Sequence, residues 1–107
     1  MSAFKHLNVN DLHSMLAAGQ LNLVDIRDPL SYDTGHIKGA MLLDNNSVQR
    51  FIQSADKQVP LVVCCYHGNS SQSAAAFLND QGFEDVYSLD GGFEQWQRVH
   101  PGLVERS

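Results

Sequence analysis

Apolar and polar positions form blocks along this chain whose length and spacing distinguish strands from helices. Near-continuous apolar runs at residues 21–26 and 61–65 have the length and β-branched content of strands covered on both faces. Shorter runs predict three further strands, at residues 4–8, 40–43 and 85–89. Because segments of helical spacing separate the runs, successive strands are expected to lie parallel in one sheet.

Between the strands, apolar residues recur at the spacing of one helix face. The pattern predicts five helices, one ending at residue 18 and the others over residues 29–34, 47–55, 70–81 and 93–99. The expected N-cap residues are Asn8 or Asn10 for the first helix, Asn46 for the third, and Ser70 or Ser71 for the fourth. Pro101 and Gly102 end the pattern, and the last few residues are expected to fray.

Together these elements predict an α/β fold, a central parallel sheet of about five strands flanked by helices on both faces. The length of 107 residues suits a single domain, which we place at residues 1–107. No apolar run approaches the roughly 20 residues of a membrane span, and the N-terminus lacks the apolar stretch of a secretory signal. Neither a membrane association nor secretion is therefore expected.

Charge and cysteine content narrow the range of functions. A net charge of −5 without a basic cluster argues against a nucleic-acid partner. The five histidines show no regular metal-ligand spacing, so no metal site is expected. The two cysteines are adjacent, which is a poor geometry for a disulfide, so free thiols in a reducing cytoplasm are expected.

The strand at residues 61–65 leads into the stretch with the strongest chemical signal. Cys65 ends that strand, a polar loop breaks the periodicity, and a helix follows at once. Unpaired N–H groups and the positive dipole end of a helix N-terminus stabilise an anion. The Cys65 thiol is therefore predicted to have a pKa below the free value of about 8.5 and to be nucleophilic. Cys64 points to the opposite face of the strand and is predicted to be a core residue.

Two groups of polar residues follow predicted strands and are candidates for the site. The loop after Cys65 is the predicted binding loop, formed by Tyr66, His67, Gly68, Asn69, Ser70 and Ser71. For His67 two roles stay open, a donor in the loop and a bystander. The second group contains Asp25, near the end of the strand at residues 21–26, and Arg27, directly after it. They lie at the sheet edge where open α/β folds place functional groups.

Four blocks of residues, spread over nearly the whole chain, resemble the single-domain rhodanese family. They are Val24-Asp25-Ile26-Arg27-Asp28-Pro29, Gly35-His36-Ile37-Lys38-Gly39-Ala40, Cys65-Tyr66-His67-Gly68-Asn69-Ser70-Ser71 and Asp90-Gly91-Gly92-Phe93-Glu94-Gln95-Trp96. The resemblance implies a five-stranded parallel sheet, a sulfur-transfer cysteine at Cys65, a persulfide intermediate and ping-pong kinetics. No metal or organic cofactor is expected for such chemistry.

The family's reaction, carried over to this chain, has two steps. The Cys65 thiolate attacks the outer sulfur of thiosulfate and sulfite leaves, while N–H groups of residues 66–71 hold the persulfide anion. A thiophilic acceptor then removes the sulfur. Cyanide is the expected acceptor in vitro, and a dithiol such as thioredoxin is the expected protein partner.

One departure from the family concerns positive charge near the thiol. Many rhodaneses carry an arginine or lysine in the active loop, whereas residues 65–71 contain neither. Substrate binding is therefore expected to rest on neutral donors and to be weak. Arg27 is the nearest cation among the motifs, and two roles stay open for it: fixing the loop through Asp25 or Asp28, or contacting substrate. His36 is expected to be structural.

Three other functions compete with thiosulfate sulfur transfer. Phosphatases and arsenate reductases with a catalytic cysteine show Cys-x5-Arg, because the arginine grips phosphoryl oxygens; here Ser71 takes that position. A non-catalytic rhodanese-like binding module often lacks the cysteine, but Cys65 is present. The third alternative keeps the sulfur chemistry and changes the donor to 3-mercaptopyruvate or a protein persulfide.

Overall fold

A five-stranded sheet forms the centre of the computed structural model, which describes residues 3–106. Within the described residues, the strands of this sheet and of a smaller two-stranded one are, in chain order, β1 (Lys5–Leu7), β2 (Asn22–Asp25), β3 (His36–Ile37), β4 (Met41–Leu42), β5 (Leu61–Cys64), β6 (Val86–Leu89) and β7 (Val104–Glu105). The main sheet has the order β1-β6-β5-β2-β4, and every neighbouring pair is parallel. The predicted parallel sheet is therefore confirmed. The expected domain at residues 1–107 extends at both ends beyond the described residues.

Helices cover both faces of this sheet. They are α1 (Val9–Ala18), α2 (Pro29–Thr34), α3 (Val48–Ser54), α4 (Ser70–Asp80) and α5 (Gly92–Val99). None of the helices within residues 3–106 combines the length and apolar content that crossing a bilayer requires.

Two apolar cores lie on opposite faces of the sheet. Leu12 of α1 and Trp96 of α5 pack with Val62 and Cys64 in one core. Leu78 of α4 packs on the opposite face with the remaining β5 residues, Leu61 and Val63. This alternation follows from the pleat of a strand, and it places β5, the middle strand, in contact with both cores.

The helix caps agree with prediction at one helix and differ at another. Asn8 caps α1, with its side-chain oxygen accepting from the Asp11 amide at 2.8 Å. The predicted Asn46 cap of α3 is wrong, because Ser47 occupies the N-cap position without a side-chain cap bond. Asp44 instead accepts from the amides of Asn46 and Ser47, at 2.9 and 3.1 Å. The Asp44 carboxylate accepts from two backbone amides of the turn before the helix, so no side-chain cap from Asn46 is needed.

The predicted fraying after Pro101 is also wrong for the residues up to Glu105, whereas Ser107 lies outside the described residues. Pro101–Leu103 forms one 3-10 turn, and β7 then pairs antiparallel with β3 in a C-terminal ribbon. The Leu103 carbonyl accepts from the Lys38 amide at 3.0 Å and from Trp96 Nε1 at 3.1 Å. A ribbon of two-residue strands has no readable periodicity, so the sequence pattern did not reveal this pairing.

Trp96→Phe should measure how much the C-terminal ribbon depends on this indole. The phenyl ring still fills most of the buried space but removes the N–H donor to the Leu103 carbonyl. We expect a loss of about 1–2 kcal/mol in the free energy of unfolding, from one hydrogen bond and a smaller ring. Urea unfolding followed by circular dichroism measures it, since the variant removes the single tryptophan.

Val99→Ala on the same helix is the matched control. Its side chain is 44% exposed, so the change should stay within about 0.5 kcal/mol. If Trp96→Phe cost no more than this control, the indole hydrogen bond would not hold the ribbon in place.

Candidate active site

Cys65 lies directly after β5, at the carboxyl edge of the middle strand. Open parallel sheets place their ligand sites at this edge. The residue is 5% exposed, and it lines a cavity of about 260 Å³. The other lining residues are Ile26, Arg27, Asp28, Ser31, Tyr66 and Ser70. The thiol is thus recessed from the surface, at the floor of a small cleft.

Three donors or acceptors surround the Cys65 sulfur. The Gly68 amide donates to Sγ at 3.1 Å and the Ser71 amide at 3.3 Å. The Ser71 hydroxyl lies 3.3 Å from the same sulfur. Both amides come from the loop and the first turn of α4, where backbone N–H groups lack helical partners.

This arrangement favours the thiolate. Burial by itself raises the pKa of Cys65, but hydrogen bonds from the Ser71 hydroxyl and from the amides of Ser71, Gly68 and His67 outweigh it. The result is a Cys65 pKa below the ordinary thiol value. Main-chain donors and one hydroxyl therefore do here what an adjacent cation does in many reactive thiol sites.

The neighbouring Cys64 has the opposite properties. It is fully buried in the core that includes Trp96, and its Sγ lies 3.3 Å from the Cys65 carbonyl oxygen. Burial and the negative charge of Asp25 raise the pKa of Cys64 well above the ordinary value. Both thiols are free. As predicted from strand alternation, two adjacent cysteines thus lie in different environments.

The predicted loop residues contribute unequally to the sulfur environment. Tyr66 and Ser70 line the cavity, and the Tyr66 ring is 47% exposed, tilted against His67 at 4.6 Å between ring centroids. Within residues 3–106, no hydrogen bond joins the side chains of Tyr66, His67, Asn69 or Ser70 to the Cys65 sulfur. The contacts to sulfur come from backbone amides and from Ser71 alone.

The expectation that Ser70 or Ser71 caps α4 is wrong. Asn69 takes the N-cap position and makes no side-chain cap bond, while Ser70 begins the helix. Ser71 is fully buried, and its hydroxyl bonds to Cys65 Sγ and Ser88 Oγ. The hydroxyl that would have capped the helix is therefore turned toward the thiol instead.

The N-terminus of α5 fixes the start of the loop. The Phe93 amide donates to the Cys65 carbonyl at 2.9 Å and the Glu94 amide to the Tyr66 carbonyl at 3.0 Å. Gly92 has φ +58°, and a Cβ there would lie 2.5 Å from both carbonyl oxygens. Only glycine allows this close approach of helix and loop.

An ion pair with Arg27 closes the other side of the cleft. Arg27 forks onto the carboxylate of Asp25, with Nη2 at 2.7 Å from Oδ2, and also donates to the Gly35 carbonyl at 2.7 Å. Its guanidinium carbon lies 4.3 Å from the centre of the Phe93 ring. Asp25 is fully buried at the end of β2. The arginine thus ties the end of β2, the C-cap of α2 and α5 together while lining the thiol cavity.

His36 lies in the structural position that its motif indicated. Its ring stacks on Tyr32 with 3.8 Å between centroids, and Nδ1 lies 2.8 Å from the Tyr32 carbonyl. His36 is not among the residues that line the cavity of Cys65. Among residues 3–106, no group of three or more histidine, cysteine, aspartate or glutamate side chains is placed to hold a metal ion.

Two residues support the site in roles that the sequence did not predict. Ser88 of β6 is fully buried with its hydroxyl 2.7 Å from that of Ser71, and Gly92 sets the distance between α5 and the loop. A lone hydroxyl within an apolar strand and a paired glycine at a helix start were the available signals. Neither residue type by itself distinguishes such a role from ordinary turns and strands.

Comparison with known proteins places the chain in a family. The model of the rhodanese-like domain matches residues 8–99. The chain therefore belongs to the rhodanese family, and the resemblance seen in its four motif blocks is confirmed.

Its relatives include proteins named thiosulfate sulfurtransferase GlpE. The one from Stutzerimonas stutzeri is 54% identical over 105 residues, which cover 98% of this chain and 95% of the relative. The one from Shewanella oneidensis is 55% identical over 100 residues, covering 94% and 99%. Among solved structures, the rhodanese-like domain of the Alr3790 protein from Anabaena sp. aligns with a TM-score of 0.83 at 29% identity, over 98% of this chain and 81% of that one.

Gly92→Ala should displace the loop that carries Cys65. The new methyl group would meet two carbonyl oxygens at a positive φ, so we expect a loss of about 2 kcal/mol or more in the free energy of unfolding. Cys65 should also react more slowly with iodoacetamide, because the loop amides no longer converge on it. Thermal unfolding and alkylation rates measure the two effects.

Gly39→Ala is the control for backbone strain alone. Gly39 has φ +88°, yet a Cβ there would meet nothing within 4 Å. It should lose about 1 kcal/mol and keep the wild-type alkylation rate. Equal alkylation rates in both variants would contradict the role given to Gly92.

The lowered pKa of Cys65 predicts a shifted alkylation profile. The thiolate is the reactive form and is populated above the pKa, so a lower pKa moves the half-maximal rate to lower pH. We expect a midpoint below that of the same chain in urea, which should lie near the free value of about 8.5. Peptide mapping should find Cys64 unmodified in the folded protein. A midpoint at or above the urea value would contradict the hydrogen-bond argument.

Proposed function

We propose that this protein is a thiosulfate sulfurtransferase that works through a persulfide on Cys65. The observation that carries the proposal is the thiol at the floor of a small cleft, with two amides and a hydroxyl at 3.1–3.3 Å from its sulfur. Membership of the rhodanese family and relatives named thiosulfate sulfurtransferase GlpE support the same reaction.

In the first step, the Cys65 thiolate attacks the outer sulfur of thiosulfate. A new S–S bond forms, the S–S bond of thiosulfate breaks, and its electron pair leaves with sulfite. One thiolate and one thiosulfate thus give one persulfide anion and one sulfite, with no proton or electron left over. The lowered pKa of Cys65 supplies the thiolate, and the recessed position limits competition by water.

The persulfide anion carries its charge on the terminal sulfur. We propose that this sulfur occupies the cavity of about 260 Å³ and is held by N–H groups of residues 66–71. The size of this stabilisation can be judged from oxyanion holes, where removal of one hydrogen-bond donor raises the activation free energy by about 3 kcal/mol. A helix dipole contributes only about 1 kcal/mol or less. The loop amides should therefore dominate the stabilisation of the persulfide.

In the second step, an acceptor removes the terminal sulfur. Cyanide would take it as thiocyanate and restore the thiolate. A dithiol would become a disulfide and release hydrosulfide and a proton. We propose small thiophilic compounds as acceptors and a dithiol protein such as thioredoxin as a protein acceptor. Larger cavities of about 570 and 460 Å³ share Arg27 with the thiol cavity, which leaves room for an acceptor to approach.

Arg27 supports the site as a positioning residue in this proposal. Its guanidinium is already committed to Asp25 and to the Gly35 carbonyl, and the negative partner offsets most of its charge toward a substrate anion. Burial lowers the pKa of Arg27, but the hydrogen bond and charge of Asp25 outweigh burial and raise it above the ordinary value, so Arg27 stays charged. Thiosulfate should therefore bind mainly through neutral donors, with modest affinity.

The competing functions receive less support. The loop contains no arginine for phosphoryl oxygens, which argues against a phosphatase or an arsenate reductase. A thiol with a lowered pKa in an open cavity argues against a purely non-catalytic binding module. Use of 3-mercaptopyruvate or a protein persulfide as donor keeps the same residues and differs only in substrate. Two free cysteines fit a reducing compartment, and we propose the cytoplasm.

Cys65→Ser and Cys64→Ser test which thiol carries the sulfur. Cys65→Ser should abolish sulfite formation from thiosulfate and cyanide, since a hydroxyl cannot form the persulfide. Cys64→Ser should keep most of the activity, because Cys64 packs in the opposite core. Steady-state assays of sulfite and thiocyanate measure both. Equal loss in the two variants would mean that the thiols act as a pair.

Intact mass after incubation with the donor identifies the intermediate. Thiosulfate should add one sulfur atom to wild type and to Cys64→Ser but not to Cys65→Ser, and a dithiol should remove it. Loading by 3-mercaptopyruvate but not by thiosulfate would replace the proposed donor. Turnover of p-nitrophenyl phosphate above background would instead favour the phosphatase.

A further inference from the structure

A buried pair of hydroxyl groups connects the Cys65 sulfur with the interior of the sheet. Ser71 Oγ lies 3.3 Å from Cys65 Sγ and 2.7 Å from Ser88 Oγ. Ser71 and Ser88 are both fully buried. Ser88 belongs to β6, the strand next to β5, and its register partner on β5 is Val63. The thiol thus has a second layer of support that comes from a different strand.

The number of protons that Cys65, Ser71 and Ser88 share determines the direction of the hydrogen bonds between them. Each serine hydroxyl carries one proton and can also accept. When Cys65 is a thiolate, its sulfur can only accept, so the Ser71 proton must point to it. The Ser71 oxygen is then free to accept from Ser88, and the described contacts of the Ser88 hydroxyl offer no other acceptor. Both hydroxyl dipoles therefore point toward the negative sulfur.

The protonated thiol does not impose this order. The Cys65 S–H can donate to Ser71, and Ser71 can then donate to Ser88, which reverses both dipoles. The hydrogen bonds of Ser71 and Ser88 can thus run in two directions when Cys65 is a thiol and in only one when it is a thiolate. Because both dipoles always point to the sulfur when it is charged, the hydroxyl pair stabilises the thiolate more than the neutral thiol. Consecutive hydrogen bonds also polarise each other, by about 10–30% per bond.

We propose that Ser88 is a positioning residue that stabilises the Cys65 thiolate, and the persulfide that follows it, by orienting the Ser71 hydroxyl. The effect of Ser88 on the thiolate follows from the geometry alone. Its consequence for turnover rests on the proposed function. A purely structural role would instead be that Ser88 satisfies a buried hydroxyl and affects only stability.

The decisive experiment is a double-mutant cycle read by the pH profile of alkylation. Wild type, Ser88→Ala, Ser71→Ala and the double variant are titrated with iodoacetamide, with peptide mapping at Cys65. Ser88→Ala should raise the midpoint by roughly 0.3 pH units, and Ser71→Ala by more. The double variant should match Ser71→Ala, because Ser88 acts only through Ser71. Ser88→Thr, which keeps a hydroxyl, should restore the wild-type midpoint.

Val86→Ala provides the control for lost core packing. Val86 lies two residues before Ser88 on the same strand and in the core beneath α4, and its side chain has no hydrogen-bonding group. It should lower stability and leave the midpoint unchanged. The charged and titratable groups near the thiol are Asp25, Arg27, Asp28, Cys64, Tyr66 and His67. All of them are retained in every variant, so a shift reports on the hydroxyl chain.

Two results would overturn the proposal. One is a Ser88→Ala variant that loses stability while its midpoint stays at the wild-type value, which is the structural role. The other is an additive double variant, which would show that Ser88 reaches the sulfur independently of Ser71.

Turnover is a separate measurement, with kcat for sulfite formation expected to fall about twofold in Ser88→Ala. If wild type formed no sulfite, the proposed function would fail while the alkylation cycle still tested Ser88.

Discussion

The contact on which the site depends is the junction between the start of α5 and the start of the active loop. Two amides of α5 hold the carbonyl oxygens of Cys65 and Tyr66, so these carbonyls point away from the thiol. The chain then turns so that its own amides, from Gly68 and Ser71, face the sulfur. The N-terminus of α5 thus orients the peptide groups, and the loop together with the first turn of α4 supplies the donors. The absence of a Cβ at Gly92 makes this proximity sterically feasible.

The ion pair of Asp25 and Arg27 complements this junction from the other side of the cleft. A buried pair of this kind contributes little net stability, because desolvation offsets most of the attraction. Its geometric role is clearer, since Arg27 reaches the Gly35 carbonyl and packs on Phe93 of α5. Rigid walls on both sides then hold a small cavity open at the carboxyl edge of the sheet. The site relies on fixed geometry rather than on a net positive charge.

The sequence pattern predicted the parallel sheet and its flanking helices, because buried central strands and amphipathic helices have clear periodicities. Strand alternation also separated Cys64 from Cys65, which depends only on the pleat. The C-terminal ribbon was missed because β3 and β7 are two residues long and far apart in the chain. Ser88 was missed because a hydrogen bond between a helix residue and a strand residue far along the chain leaves no local signature. The misassigned caps show that a polar side chain near a helix start has competing partners that only the folded structure selects.

The separation of the two cysteines has a consequence for the lifetime of the Cys65 persulfide that we propose. A persulfide next to a free thiol is prone to discharge itself, because the second sulfur can attack it, form a disulfide and expel hydrosulfide. Here the fold keeps the neighbouring thiol in the opposite core, protonated and turned away. Adjacent residues also sit too close for an unstrained disulfide. The pleat of one strand therefore keeps the proposed Cys65 persulfide apart from Cys64, the nearest free thiol in the protein.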